Sequence, residues 1–291
     1  MLDLILLVQD SEKFHEANLE AFPHHYATWL RWGGPSLITK VQRQSPLKDA
    51  HVLFHVVDDP VPMKYGVVDQ QDLLRDLMNW ESLYLAGRLH KPTLPLIDPP
   101  PDEFVAAQQQ NLEAATASAL LLLSSNKHSA DCSWDLFFRT IASLSYTGDF
   151  RMQVGGEDPQ KLDKLVQARG QLDRFQDLYR PILEQFEKEG LVSCSFVKNG
   201  DANDFSILGL EWDANDPATS SCLQEKLPLK FQNKLSSKTD SSQISNALAD
   251  ALAATVAPAA RHQSFKGVFT LGLQRSFQYA SAKLSKGLFR N

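Results

Sequence analysis

Hydrophobic residues run almost without interruption from Leu2 to Val8 ("LDLILLV"), the pattern of a short strand buried on both faces. Asp3 is the one charge inside that run. Asp10 or Ser11 then caps a helix through "SEKFHEANLEAF", and "HHYATWLRWGG" reads as a second short helix stopped by Gly33 and Gly34. Apolar alternation returns in "HVLFHVV" and "KYGVV" on either side of "DDPVPM", which is turn chemistry. This predicts a hairpin with Lys64 and Tyr65 at the start of its second strand. "QQDLLRDLMNWESLYLAG" follows at helical spacing and reads as one amphipathic helix ending at Gly87.

The pattern changes after "LPLIDPPPDE", which holds four of the chain's fifteen prolines and is the best candidate for a domain boundary. Helical spacing predicts helices at Phe104 to Leu123, Trp134 to Tyr146 and Pro159 to Glu189, with "GDFRMQVGGED" as the loop between the last two. Short strand-like pieces, "LVSCSFV" and "FSILGLEW", stand among polar residues between Leu191 and Ser241, and this stretch is expected to be the least ordered. The expected fold class is α/β (α+β). It comprises an α/β domain over residues 1–96, a mostly helical domain over 97–240 and a C-terminal region over 241–291.

Charge refines this outline at one end. The chain of 291 residues carries a net charge of −6, which argues against generic nucleic-acid binding. Yet Asp250 is its last acidic residue, and Arg261, Lys266, Arg275, Lys283, Lys286 and Arg290 follow. Phe269, Leu273, Phe277, Ala280, Leu284 and Leu288 step by three or four residues onto one stripe of a helix, with basic residues opposite. That is the pattern of a helix lying in an anionic membrane surface; the alternative is a terminal helix docked on the protein's own core. The longest apolar run, "ATASALLLL", is far below the roughly 20 residues a membrane span needs. No basic n-region precedes the first strand, so no signal peptide is read. Cys132, Cys194 and Cys222 have no metal-ligand spacing and are expected to be free thiols.

Candidate chemistry gathers at element ends. An acid on a strand of an α/β domain suits Mg²⁺, which binds through one or two carboxylates plus substrate phosphates. Asp3 is either such a ligand or a solvated strand-end carboxylate. Lys64, Arg88, Lys91 and Arg151 lie next to glycines, where backbone approaches a ligand closely, and such cations suit phosphate groups. Asp149 and Arg151, two apart, either share a reaction centre or form a structural ion pair. His15, Asn18 and His25 read as structural donors rather than catalysts.

In order and spacing, "MLDLILLVQDSEKFHEANL", "HHYATWL", "KYGVV", "DLMNWESLYLAGRLHKP", "LSYTGDFRM" and "RHQSFKGVFTLG" resemble the mitochondrial CDP-diacylglycerol synthases (phosphatidate cytidylyltransferases) of the translocator-assembly-and-maintenance type. The resemblance implies a nucleotidyltransferase-like domain and a winged-helix-type second domain. It also implies Mg²⁺-dependent transfer of a cytidylyl group from CTP to phosphatidic acid, for cardiolipin and phosphatidylglycerol synthesis at the matrix face of the mitochondrial inner membrane. On that reading Asp3, Asp149 and Arg151 are the catalytic set, Asp3 and Asp149 hold the metal, and Lys64, Tyr65, Arg88 and Lys91 bind substrate. The family carries a Tyr-Gly-Ser-Gly phosphate-binding turn and a presequence ahead of this strand. Neither is in these residues, so the expectation is an N-terminally shortened form. The competing expectation is a non-catalytic peripheral maintenance factor or an inactive short isoform.

Overall fold

The computed structural model describes residues 2–43, 50–58, 60–97, 99–124, 132–149, 151, 160–198, 205–213 and 216–270. The fold is mixed α/β. A three-stranded sheet is built from β1 (Leu2–Val8), β2 (Val52–Val57) and β3 (Met63–Asp69) in the order β1-β3-β2. β1 runs parallel to β3 with Asp3 opposite Lys64, and β2 pairs antiparallel with Phe54 opposite Gly66. The predicted hairpin is therefore present.

The two faces of the sheet are covered differently. On one face α1 (Ser11–Ala21) and α2 (Thr28–Arg43) bury Leu53, Val57, Tyr65 and Val67, with Leu4, Leu6 and Val8 packed alongside. Asp10 caps α1, its carboxylate accepting the Glu12 and Lys13 amides. On the other face Val52 and Val68, with Leu7 and Phe54 against them, join the main core. That core centres on α5 (Asp102–Leu123), whose alanines at 107, 114, 115, 117 and 119 are buried and let neighbouring helices approach closely. Around α5 pack α3 (Gln70–Asn79), α6 (Trp134–Ser143), α8 (Gln171–Lys188), α9 (Pro217–Glu225) and α11 (Ser241–Thr270). Residues from both sides of the proline-rich segment thus share one apolar core.

Four expectations are corrected. β1 is an edge strand rather than one buried on both faces: Leu2 is 53% and Ile5 36% exposed, because β3 is its one neighbour among the described residues. The helix broken at Gly34 (φ +69°) restarts at once through Pro35 and runs to Arg43, since proline is favoured at the first helical position. The helix expected to reach Gly87 ends at Asn79, where Trp80 takes a left-handed conformation (φ +50°). A second short helix, α4 (Ala86–Leu89), then contains Gly87. The helix expected from Pro159 to Glu189 is two, α7 (Lys161–Gln167) and α8, divided at Gly170 (φ +72°). The strand-like pieces read between Leu191 and Ser241 form a hairpin, β4 (Ser193–Lys198) with β5 (Phe205–Glu211), followed by α9 and α10 (Leu229–Leu235), while residues 199–204 and 214–215 of this stretch lie outside the described residues.

The three cysteines are free thiols, and burial holds those of Cys132 and Cys194 up at about 11 and about 12. No helix among the described residues is long and apolar enough to cross a membrane. The predicted stripe from Phe269 to Leu288 falls almost wholly outside the described residues, which end at Thr270.

Candidate active site

The local frame of the site is a turn wrapped around one buried carboxylate. Asp76, near the end of α3, accepts the Ser82 and Leu83 amides (2.8 and 3.0 Å) on Oδ1 and the Leu85 and Ala86 amides (3.0 Å each) on Oδ2. Four backbone donors on one ionised acceptor hold the chain between Trp80 and Ala86 in a single shape. Asn111 on α5 locks the next turn. Its Oδ1 accepts from Trp80 Nε1 (2.7 Å) and His90 Nε2 (2.9 Å), and its Nδ2 donates to the Ala86 carbonyl (3.2 Å). Burial, then the nearby Lys91 charge, pushes His90 down to about 3, so it is a neutral bolt. Together these bonds aim Tyr84, Arg88 and Lys91 at one side of the sheet.

That side carries Asp3 and Lys64. The Asp3 carboxylate, with its side chain about half exposed, lies 3.9 Å from Arg88 Nη1. Lys64 Nζ sits 4.1 Å over the Phe54 ring and Arg88 Cζ 5.4 Å from it. Both cations can rest there because Gly66, opposite Phe54, has no Cβ: one built at that position falls 2.6 Å from Phe54 Cε1, so the ring lies across the strand only over a glycine. Burial, followed by the Arg88 charge, lowers the Lys64 ammonium below its ordinary range. Arg88 also donates to the Tyr84 hydroxyl (3.2 Å).

Lys91 stands next in line. Its ammonium donates to the Gly87 carbonyl and to Ser145 Oγ (3.1 Å), and it lies 5.1 Å from the Tyr146 ring, which Lys161 approaches at 4.8 Å. Gly87 permits this docking, since a Cβ there meets Ser145 Cβ at 2.1 Å. Burial, with the charges of Arg88 and Lys161, brings Lys91 down to about 7. A group of cations this crowded favours an anionic ligand, whose arrival relieves the repulsion.

Asp149 and Arg151 form an ion pair. The buried Asp149 carboxylate accepts from Arg151 Nη2 (2.6 Å), Nε and the backbone amide (3.0 Å). The Arg151 charge acts on Lys64 and Tyr84, which puts its guanidinium at the border of the same cluster. Tyr65 stands apart. One residue beyond Lys64 on β3, it turns to the opposite face, where its hydroxyl meets Asn18 Nδ2 (3.0 Å) and His25 Nδ1 (2.7 Å).

For a metal, the two candidate acids differ. Asp3 has one loose ion pair and open carboxylate lone pairs, which suits an ion also held by substrate phosphates. Both oxygens of Asp149 are engaged by Arg151, a geometry that anchors a guanidinium rather than a metal ion. Among the described residues no group of three His, Cys, Asp or Glu side chains is placed to hold a metal ion.

Two surface clefts lie elsewhere among the described residues. One of about 530 Å³ is lined by Leu191, Val192, Trp212 and Thr219. Another of about 350 Å³ contains Arg43, His51 and Arg75, all of which are already bound to the buried Asp72. Phe54, Tyr84, Ser145, Tyr146 and Lys161 belong to the cation face and were not picked out from sequence. Tyr84 had a signal, its position one helical turn before Arg88.

Comparison with known proteins agrees with this chemistry. Residues 1–286 match the protein family described as mitochondrial phosphatidate cytidylyltransferase. The mitochondrial phosphatidate cytidylyltransferase of Drosophila melanogaster is 35% identical over an alignment covering 81% of this chain and 66% of that protein. That of Schizosaccharomyces pombe is 34% identical, covering 99% of this chain and 75% of the yeast protein. That of Saccharomyces cerevisiae is 31% identical, covering the whole chain and 62% of its own length. The chain that builds this cationic face therefore belongs to the mitochondrial phosphatidate cytidylyltransferase family.

Proposed function

We propose that this chain transfers a cytidylyl group from CTP to phosphatidic acid. An oxygen of the lipid phosphate attacks the α-phosphorus of CTP, the bond to the β-phosphate breaks, and CDP-diacylglycerol and pyrophosphate result. The observation that carries this reading is the concentration of Lys64, Arg88, Lys91 and Arg151 around an acid that is free to bind, in a chain of this family. Such transfer depends mainly on positioning and on neutralising charge. Arg88 and Lys64 hold triphosphate oxygens on the Phe54 platform, Lys91 adds charge at the Tyr146 end, and Asp149 keeps the Arg151 fork aimed at the phosphates. Asp3 with the CTP phosphates would hold Mg²⁺, which supplies charge neutralisation to the leaving pyrophosphate when bound.

The same reading makes residues 1–96 nucleotidyltransferase-like and residues 97–240 a winged-helix-type domain; helices followed by the β4–β5 hairpin support the latter. It places the protein as a peripheral component of the inner membrane, facing the matrix and serving cardiolipin synthesis; within residues 241–291, α11 packs on the core, and the Phe269–Leu288 stripe contacts anionic lipid. The test is conversion of labelled CTP to CDP-diacylglycerol on phosphatidate liposomes with Mg²⁺. Wild-type protein should give product, and Asp3→Asn should abolish it while unfolding stays cooperative. Turnover by Asp3→Asn within a few-fold of wild type removes Asp3 from the mechanism. Lipid binding without product from wild type favours the maintenance-factor alternative.

A further inference from the structure

The proposed chemistry leaves the phenol of Tyr84 unused. Its ring packs edge-on to Phe54, centroids 6.3 Å apart, and lies 5.0 Å from Arg88 Cζ. Its oxygen accepts a hydrogen bond from Arg88 Nη2. The charges that act on this hydroxyl come from Arg88, Lys64 and Arg151. Guanidinium and ammonium groups only donate. The phenolic hydrogen is given no acceptor among the described residues. Leaving a donor unmet at a partly buried position is costly unless a ligand supplies the acceptor. Burial alone raises a phenol's pKa; here Arg88 and Lys64 outweigh it and bring the group below its ordinary value, so that it is a stronger donor than a solvated tyrosine.

We infer that Tyr84 is a phosphate-binding residue, its O–H donating to a phosphate oxygen of the substrate beside Arg88 and Lys64. The inference rests on the proposed cytidylyltransferase reading and adds a neutral donor to its charged set. A hydroxyl gives direction where the lysine gives only charge. The Asp76-bound turn holds Tyr84 at a fixed angle to Arg88, so the two donors converge on one anion.

Tyr84→Phe keeps the ring, its contact with Phe54 and the cation above it, and removes only the hydroxyl. Binding of inorganic pyrophosphate, CTP and glycerol 3-phosphate is measured by calorimetry on the full chain, with thermal unfolding in parallel. The expected result is an affinity weaker by about 10- to 100-fold at an unchanged melting temperature, the range for one hydrogen bond to a charged group. Loss confined to pyrophosphate and CTP assigns the bond to the nucleotide, and loss confined to glycerol 3-phosphate assigns it to the lipid headgroup. The same substitution in an Arg88→Lys background separates direct binding from mere support of the arginine: a further loss of about tenfold supports direct contact, and no further loss overturns it. Equal affinities in wild type and Tyr84→Phe also overturn it while leaving the cation site standing. If wild type binds none of the three anions, the cation-site reading itself fails.

Discussion

Lys64 and Tyr65 are consecutive on β3, and the pleat sends them to opposite faces with opposite consequences. Behind Tyr65 lies a closed network. His15 Nε2 donates to Gln42 Oε1 (2.7 Å), which fixes the tautomer and leaves Nδ1 to accept from the Tyr26 hydroxyl (3.0 Å). Asn18 Nδ2 donates to the Tyr26 and Tyr65 hydroxyls, and His55 Nδ1 donates to the His25 carbonyl (3.1 Å). Burial lowers His15, His25 and His55, the last to about 3, so the histidines are neutral. His55 Nε2 is left without a partner there. In front of Lys64 the arithmetic is reversed: ammonium and guanidinium donors outnumber acceptors. Neutral groups joined by hydrogen bonds stabilise one face; on the other, Lys64, Arg88, Lys91 and Arg151 crowd beside the two carboxylates of Asp3 and Asp149.

The sharpest way to break that contrast is to remove charge from the open face. Lys64→Met and Arg88→Met should each lower turnover by about 10²- to 10³-fold, the range for one preorganised charge-stabilising donor. Both should unfold no earlier than wild type in thermal melts, because the charges they remove are crowded. Early melting assigns these cations to the fold instead.

Asp149 tests the boundary between the two roles. Asp149→Asn leaves Arg151, about a quarter exposed, without its anchor, and should cost about 1–3 kcal/mol in denaturant titrations as well as lowering turnover. Arg151→Lys keeps the charge but loses the planar fork, and should lower turnover by about tenfold or more with a smaller stability change. A silent Arg151→Lys makes the pair purely structural.

On the closed face, Tyr65→Phe should cost about 1 kcal/mol of stability, the worth of a buried hydrogen bond, while kcat/KM stays within a few-fold. A large loss of activity with an unchanged melting curve returns Tyr65 to the substrate site and erases the comparison.

The last test is a pH slope. Lys91 titrates near 7 in the fold and 10.5 when free, so the unfolded chain binds more protons between those values. Its burial therefore destabilises the fold fully below about pH 7, and the penalty fades as pH rises toward 10.5. The melting-temperature difference between Lys91→Met and wild type should shift in favour of wild type as pH is raised from about 6 to about 10. A difference independent of pH places Lys91 in an environment no different from water.

Much of the local structure is legible in the residues themselves. Asp10 announces the start of α1, "DDPVPM" the β2–β3 turn, and Gly34 the point where the second helix breaks. The motif order also carries the family. Less was legible where a remote partner decides. "DLMNWESLYLAG" has helical spacing throughout, yet Asp76 ends the helix by taking up five donors from the turn that follows. The apolar run of β1 is compatible with a central strand, and only strand order makes it an edge.

Composition and periodicity determined which segments become helices and strands, and that cations and glycines recur together at their ends. Only the tertiary structure decided that Lys64 faces the Arg88 cluster while Tyr65 closes a network, and that Tyr84 stands beside Arg88. The pattern along a strand has a period of two whichever face is core. The choice of face, and the balance of donors and acceptors on it, is set by helices and strands that arrive from elsewhere in the chain.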